Sequence, residues 1–410
     1  MNKQQQAISR IRAGDSIFLT GAGGRGKSWV IDQLRDETTV VAAPTGIAAL
    51  NVQGLTCHSL FGLPIGLPHR SDTYKISEKF RKVFGRHSPV ETIIIDEVGT
   101  LRADYLDLID RKLRVTREDN RPWGGLQVAV VGDLFQLGPI VAGKEREHFY
   151  KKYHSPFPFA AEAWCFDTIE LDINHRQKDP MHDQVLESIR RADADLADAM
   201  AIVNTLSARA HIEGSLRLCS YNADADRVNA REYAKVDGAE FAFPARVHHN
   251  WGKDEPVPRD LKLKVGCQVL LCANHGGYVN GDRGVVEHLD VDKIIVRKMD
   301  GVLVDVKPNT WEKMDYTDGE DGLQREVTAT YIQFPIRLGW AVSVHKSQGM
   351  TLDGVTIDVG RGCFAHGQFY VALSRCKNLE RVNFITQPTM RDVRVDPEVT
   401  RFYDELMAKR

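Results

Sequence analysis

Residues 15–28 read DSIFLTGAGGRGKS. Ile17-Phe18-Leu19-Thr20 is a short apolar run of the kind that forms a buried strand. It breaks into Gly21-Ala22-Gly23-Gly24-Arg25-Gly26, closed by Lys27 and Ser28, with the spacing G-x-x-x-x-G-K-S. Glycines let backbone N–H groups turn inward around phosphate oxygens, which Cβ atoms would obstruct. A helix starting near Lys27 adds its positive dipole end. Lys27 then reaches the β- and γ-phosphates, and the Ser28 hydroxyl ligates Mg²⁺. A strand before, a helix after and every fixed position filled separate this stretch from an ordinary glycine-rich turn. It predicts binding of a nucleoside triphosphate.

Further along, Thr39–Ala43 reads as the next strand, ending in Pro44-Thr45-Gly46, with a helix through Ile47–Leu50. Alternation of this kind implies a parallel sheet. Thr92–Ile95 is a buried strand with Asp96-Glu97 at its C-terminal end. In open parallel sheets ligands sit beyond that edge, so Asp96 is placed to hold Mg²⁺ through water and Glu97 to activate the attacking water. Gln127–Val131 is another buried strand, and Gln136 emerges beyond the same edge, where its amide can sense a γ-phosphate.

Two stretches carry charge. Residues 62–90 hold Pro64, Pro68 and a series of lysines and arginines, a proline-bounded basic insertion that is either a solvated surface element or a wedge. Residues 144–160 interleave lysines with Phe149, Tyr150, Tyr153 and Phe157. The favoured reading there is a loop with its aromatics tucked beneath it, over a nucleic-acid contact. A second strand set begins at Leu216–Ser220. From about 240 to 335 the pattern is all-β with glycine-rich turns, a small barrel inserted into a second α/β domain, and 312–326 reads as an exposed acidic loop. From Trp340 the α/β pattern resumes, with strands near Val355–Val359 and Val382–Ile385.

The 410 residues suggest about two to four domains. A 42% hydrophobic and 27% charged composition is that of globular protein. No apolar run approaches the roughly 18–20 residues needed to span a bilayer, and MNKQQQAISR lacks the apolar core of a signal peptide. The expectation is a cytoplasmic protein with no membrane partner. Seven scattered cysteines without a C-x-x-C pair indicate neither a disulfide framework nor a zinc site. A net charge of −2 argues against a broadly basic nucleic-acid coat but permits a local basic channel.

In order, these stretches resemble the PIF family of superfamily-1 DNA helicases over the whole chain. The phosphate loop is followed by APTGIAALN (43–51), LTCHSLFGLP (55–64), IIIDEVGTL (93–101) and PWGGLQVAVVGDLFQLGPI (122–140). Then come NHRQKD (174–179), LKVGCQVLLCANHGGYVNGDRGVV (263–286), GWAVSVHKSQGMTLD (339–353) and GQFYVALSRCKNLERV (367–382). Val395-Asp396 and Phe402-Tyr403 in the tail also have the family's look. One motif alone is weak; the ordered set is specific.

The resemblance implies an α/β fold of two RecA-like domains with parallel sheets and a small all-β SH3-like insertion in the second. The boundaries expected are 1–175 for the ATP-binding domain, 176–239 with 336–410 for the second, and 240–335 for the insertion. It implies ATP and Mg²⁺ as cofactors, with Arg176 and Arg375 as arginine fingers beside Lys27, Asp96, Glu97 and Gln136. Gln5, or its neighbour Gln4, would read adenine, and Gly349 would join Gly21, Gly23, Gly24, Arg25, Gly26, Lys27 and Ser28 in holding nucleotide. DNA would contact Pro44, Thr45, His58 and Phe61 in the first domain and His345, Lys346 and Ser347 in the second, with Lys264 and Asn280 as weaker contacts. Phe61 is balanced between base stacking and core packing.

The implied activity is 5′→3′ translocation on single-stranded DNA with separation of forked duplex, by a monomer, and the economy of the chain suggests a bacterial or phage source. Rival readings are a protein-displacing translocase that hardly unwinds duplex and an ATP-gated nucleic-acid-binding module. RNA is a further substrate candidate, because backbone contacts discriminate poorly unless they probe the 2′-OH. Three positions depart from the family pattern. Arg25 replaces a small hydroxyl residue and is expected to point to solvent, Gly138 replaces a proline, and Cys57 an aliphatic residue.

Overall fold

A computed structural model describes residues 2–64, 66–175, 179–207, 215–252, 255–319 and 322–408. The chain divides into two compact units. The first comprises residues 1–176, 314–327 and 395–410, and the second residues 177–313 and 328–394.

The first unit is built on a six-stranded sheet. Its strands are β1 (Ile17–Thr20), β2 (Thr39–Ala43), β3 (Leu55–Thr56), β4 (Thr92–Ile95), β5 (Gln127–Val131) and β6 (Asp167–Glu170). The order is β3-β2-β4-β5-β1-β6, and every neighbouring pair is parallel. Side chains alternate across the sheet, so an unbroken apolar strand must be covered on both faces. In β1, Ile17 and Leu19 enter the core shared with Ala7, Ile11, Val30 and Ile31, from helices α1 (Lys3–Arg12) and α2 (Lys27–Leu34). Phe18 enters the opposite core with Val40, Ile93 and Ile95.

The basic insertion folds onto this unit. The helix Glu78–Phe84 is capped by Ser77 and buries Phe80, Val83 and Phe84, leaving its lysines and arginines outward or half-buried. Phe149, Tyr153 and Phe157 are likewise buried and belong to the core, whereas Tyr150 is exposed. The C-terminal helix Pro397–Ala408, expected with the second domain, packs into the first unit instead. Phe402 stacks on Phe159 at 4.6 Å between ring centroids and lies against Trp164 and Phe18.

The second unit holds a four-stranded parallel sheet ordered Ala341–Ser343, Leu216–Cys219, Val355–Asp358, Val382–Phe384. Inserted into it is a five-stranded antiparallel sheet over Gln268–Leu271, Arg283–Leu289, Ile294–Lys298, Leu303–Val306 and Ile336–Leu338. Together these form the two RecA-like sheets and the small all-β module. One expectation fails: the stretch 312–326 is not a loop but lies mostly in the long strands Asn309–Gly319 and Gly322–Gln333. Its acidic, glycine-bearing composition hid the strands, because tertiary pairing outweighs weak local β-propensity.

Candidate ATP-hydrolysis site

The loop between β1 and α2 has the form its glycines allow. Gly21, Gly24 and Gly26 all have positive φ, at 145°, 86° and 83°. A Cβ on Gly21 would lie 2.8 Å from the Leu171 carbonyl oxygen, and one on Gly26 2.2 Å from Gln4 Nε2. Lys27 Nζ donates to the carbonyls of Gly21 (2.7 Å) and Ala22 (3.1 Å), so the ammonium is folded back over the loop. Ser28 is exposed on the first turn of α2.

Arg25 does not point to solvent. It is only 8% exposed, and its Nη1 donates to the carbonyl of Asp172. His175 N donates to Gly24 O at 2.9 Å, Leu171 N to Thr20 O at 2.8 Å, and Lys3 pairs with the Asp172 carboxylate at 2.9 Å. The segment after β6 is thus laced along the phosphate loop up to residue 175. Arg176 lies outside the described residues. Gln4, rather than Gln5, reaches this place: its Nε2 lies 3.3 Å from both the Arg25 carbonyl and His175 Nε2, whereas Gln5 is exposed. Replacing Arg25 by Thr removes a buried charged donor, and a loss of about 1.5–3 kcal/mol in stability is expected, measurable by urea unfolding beside the parent.

Beyond β4, Asp96 is buried and Glu97 half-buried. Burial, reinforced by the Glu97 charge, holds the Asp96 carboxyl well above the usual carboxylate range, while the Glu97 backbone N–H and Lys27 act the other way. Two carboxylates crowded beside one lysine make a site short of positive charge, which suits Asp96 and the Ser28 hydroxyl as holders of a divalent cation. Glu97 sits at φ 50°, ψ 37°, a left-handed conformation rare outside glycine. Thr100 secures it, donating both its backbone N–H and its hydroxyl to Glu97 O at 3.1 Å.

The end of β5 lies close by. A Cβ on Gly132 would come 3.1 Å from Val98 N, so glycine there permits the approach of the two loops. Gln136 is buried, with Nε2 3.3 Å from Asp133 Oδ2 and its backbone N donating to Asp133 O at 3.1 Å. Asp133 therefore orients the amide, a role that spacing did not disclose. Gly138 is matched to its surroundings: a Cβ there would lie 2.6 Å from Phe157 Cζ. Gly138→Ala is expected to cost about 1–3 kcal/mol by overpacking, and Phe157→Leu in the same chain to recover most of it, read from paired denaturation curves.

The remaining residues divide. Thr45 is exposed and caps its helix, accepting from Ala48 N at 3.3 Å, beside half-buried Pro44. His58 is half-buried, edge-on to Tyr105 at 5.0 Å. Phe61 is fully buried and stacked on Phe84 at 5.5 Å, so it is a core residue and presents no face to a base. In the second unit, His345 stacks on Phe364 at 5.6 Å, while Lys346 and Gly349 are exposed. Ser347 is buried and donates to Val344 O at 2.8 Å, which removes its hydroxyl from the surface. Lys264 also turns inward, donating to Val236 O at 2.8 Å and lying over the Tyr233 ring. Asn280 N donates to Asn274 Oδ1 at 2.8 Å. Arg375 is 2% exposed; its Nε donates to Val371 O, Nη1 to Met350 O and Nη2 to Ser374 Oγ.

Comparison with known proteins agrees with this geometry. Residues 1–196 match the model of the PIF1-like helicase family. The ATP-dependent DNA helicase Pif1 of Bdellovibrio bacteriovorus is 31% identical over 98% of this chain and 91% of its own length. Human ATP-dependent DNA helicase PIF1 is 32% identical over 99% of this chain, which spans 64% of that longer protein. A Bacteroides sp. Pif1 crystallised with ADP-AlF4 superimposes with a TM-score of 0.91 at 32% identity, covering 100% of this chain and 97% of that one. A Bacteroides Pif1 bound to single-stranded DNA matches with a TM-score of 0.70 at 32% identity, over 99% and 96% of the two chains. With a phosphate loop, an acidic pair and a glutamine gathered at one sheet edge, the chain belongs to the PIF1-like family of DNA helicases, enzymes that hydrolyse ATP.

Proposed function

We propose that the protein translocates 5′→3′ along single-stranded DNA and separates the strands of forked duplex, acting as a monomer in the cytoplasm. The observation that carries the reading is the pair of buried Asp96 and half-buried Glu97 beside the Lys27 loop, suited to supply a general base where a γ-phosphate would lie. Its DNA-directed half draws on the relative crystallised with single-stranded DNA.

Lys27 and the loop amides hold the triphosphate, and Gln4 lies beside the loop where a base could be read. Ser28 and Asp96 would hold Mg²⁺, which supplies neutralisation of phosphate charge. Glu97 takes the proton of the attacking water, and Gln136, oriented by Asp133, senses the γ-phosphate. Arg176 and Arg375 stabilise the charge that spreads over its oxygens in the transition state. On the DNA side, exposed Thr45 and Lys346 are suited to phosphates, and half-buried His58 and His345 to bases. Cycles of binding and hydrolysis shift the population between states that grip the strand differently. Residues 62–90 are the candidate wedge; deleting them is expected to lower unwinding per ATP hydrolysed, and an unchanged ratio removes that role.

Unwinding of duplexes with a single 5′ or 3′ tail, with ATP and Mg²⁺, tests the whole reading. Separation from the 5′-tailed substrate alone is expected. Separation only from 3′ tails overturns the polarity, and brisk ATP turnover without separation of either substrate favours the protein-displacing translocase.

A further inference from the structure

The C-terminal helix puts one side chain between two parts of the ATP site. Tyr403 is 3% exposed, and its hydroxyl lies 2.6 Å from Thr20 Oγ1, itself fully buried. Thr20 is the last residue of β1, immediately before Gly21. The Tyr403 ring also stacks on Phe135, with centroids 4.8 Å apart and planes at 23°. Phe135 is the residue before Gln136, and its backbone N donates to Asp133 Oδ1 at 3.3 Å. One side chain thus touches the root of the phosphate loop with its polar end and the γ-phosphate-sensing segment with its face.

Packing alone does not call for this residue. Phenylalanine would fill nearly the same volume, whereas a buried phenol costs free energy unless its hydroxyl is paired. Here the pairing goes to Thr20. Tyr403 is also held firmly, because its neighbour Phe402 is stacked on Phe159 and flanked by Trp164. The chain passes from the second unit into the first at residue 395, so this anchor lies just beyond that passage.

We propose that Tyr403 is a positioning residue for ATP hydrolysis: it holds the Thr20–Gly21 root of the phosphate loop and the Asp133–Gln136 segment in fixed register. It touches no reacting atom. Its effect falls on kcat, because displacement of either segment misplaces groups around the γ-phosphate after ATP is already held by the loop.

The test is steady-state ATP turnover of the full chain with single-stranded DNA, alongside melting temperature, for Tyr403→Phe, Tyr403→Leu, Phe135→Leu and the double variant Tyr403→Leu/Phe135→Leu. Tyr403→Leu is expected to lower kcat about tenfold and Tyr403→Phe about threefold, with KM for ATP within about twofold, since small misplacements act on the chemical step. In the double variant, Phe135→Leu is expected to add less than about twofold, because both changes break one contact. A purely structural role would lower the melting temperature and leave the kcat of folded enzyme at the parental value. Parental kcat in both Tyr403 variants overturns the proposal, as do losses that multiply fully in the double variant. Should Tyr403→Leu not fold, Tyr403→Phe decides: a threefold loss supports the proposal and parental kcat overturns it.

Discussion

Glu97→Gln is expected to lower ATP turnover by about 10²–10⁴-fold, the usual contribution of a positioned general base, while ATP binding stays within a few-fold of the parent. Glutamine keeps the length and hydrogen-bonding reach of glutamate but accepts no proton at neutral pH. The backbone at φ 50° is equally strained for either side chain, and Thr100 still holds the Glu97 carbonyl, so the turn is preserved. Removing the charge also relieves the repulsion that helps to raise the Asp96 carboxyl, so nothing in the change opposes binding of the anionic substrate. The measurement is phosphate release with and without single-stranded DNA, beside equilibrium binding of a non-hydrolysable ATP analogue. A fall of less than about tenfold would assign the base elsewhere. Abolished DNA-stimulated release with intact binding excludes the ATP-gated binding module, because the parent then turns over.

Arg375 carries the second large effect. An arginine that stabilises a phosphoryl-transfer transition state contributes about 10³–10⁵ in kcat, and Arg375→Ala is expected to fall in that range. The guanidinium is 2% exposed and donates to two carbonyls and a hydroxyl, so it also supports its own surroundings. Losing a charged donor to buried acceptors costs about 1.5–3 kcal/mol. Turnover and thermal unfolding must therefore be measured together. Arg375→Lys retains the charge but lacks the planar fork, and a large loss of kcat in that variant without a matching loss of stability identifies the catalytic role. A lowered melting temperature with parental kcat would make Arg375 a structural residue only.

Much of the site was legible because its chemistry depends on short spacings. G-x-x-x-x-G-K-S after an apolar strand, and Asp96-Glu97 after another, need only the backbone rules of strand and turn to converge at one sheet edge. The alternation of Ile17, Phe18 and Leu19 between two cores follows from the same rules. Residues whose meaning depended on which neighbour they meet were not legible in this way. Phe61 and Ser347 sit inside motifs, yet one is stacked on Phe84 and the other bonded to Val344 O. Lys264 is a weaker DNA contact by the family resemblance, yet it is folded over Tyr233. Choice between Gln4 and Gln5 required the turn of α1 that brings one of them to Arg25.

By itself, then, the order of residues determined the α/β class, the phosphate loop, the acidic pair and the family, since local periodicity and contiguous motifs carry each of these. Only the tertiary structure decided the direction of Arg25, the match of Gly138 to Phe157, the strands within 312–326 and the seat of the C-terminal helix. Three of these rest on contacts between segments far apart in the chain: Arg25 meets Asp172, Gly138 meets Phe157, and Tyr403 meets Thr20 across 383 positions; the strands within 312–326 are neighbours in one sheet. Burial and unpaired polar groups are properties of the closed fold, and no window of neighbouring residues contains them.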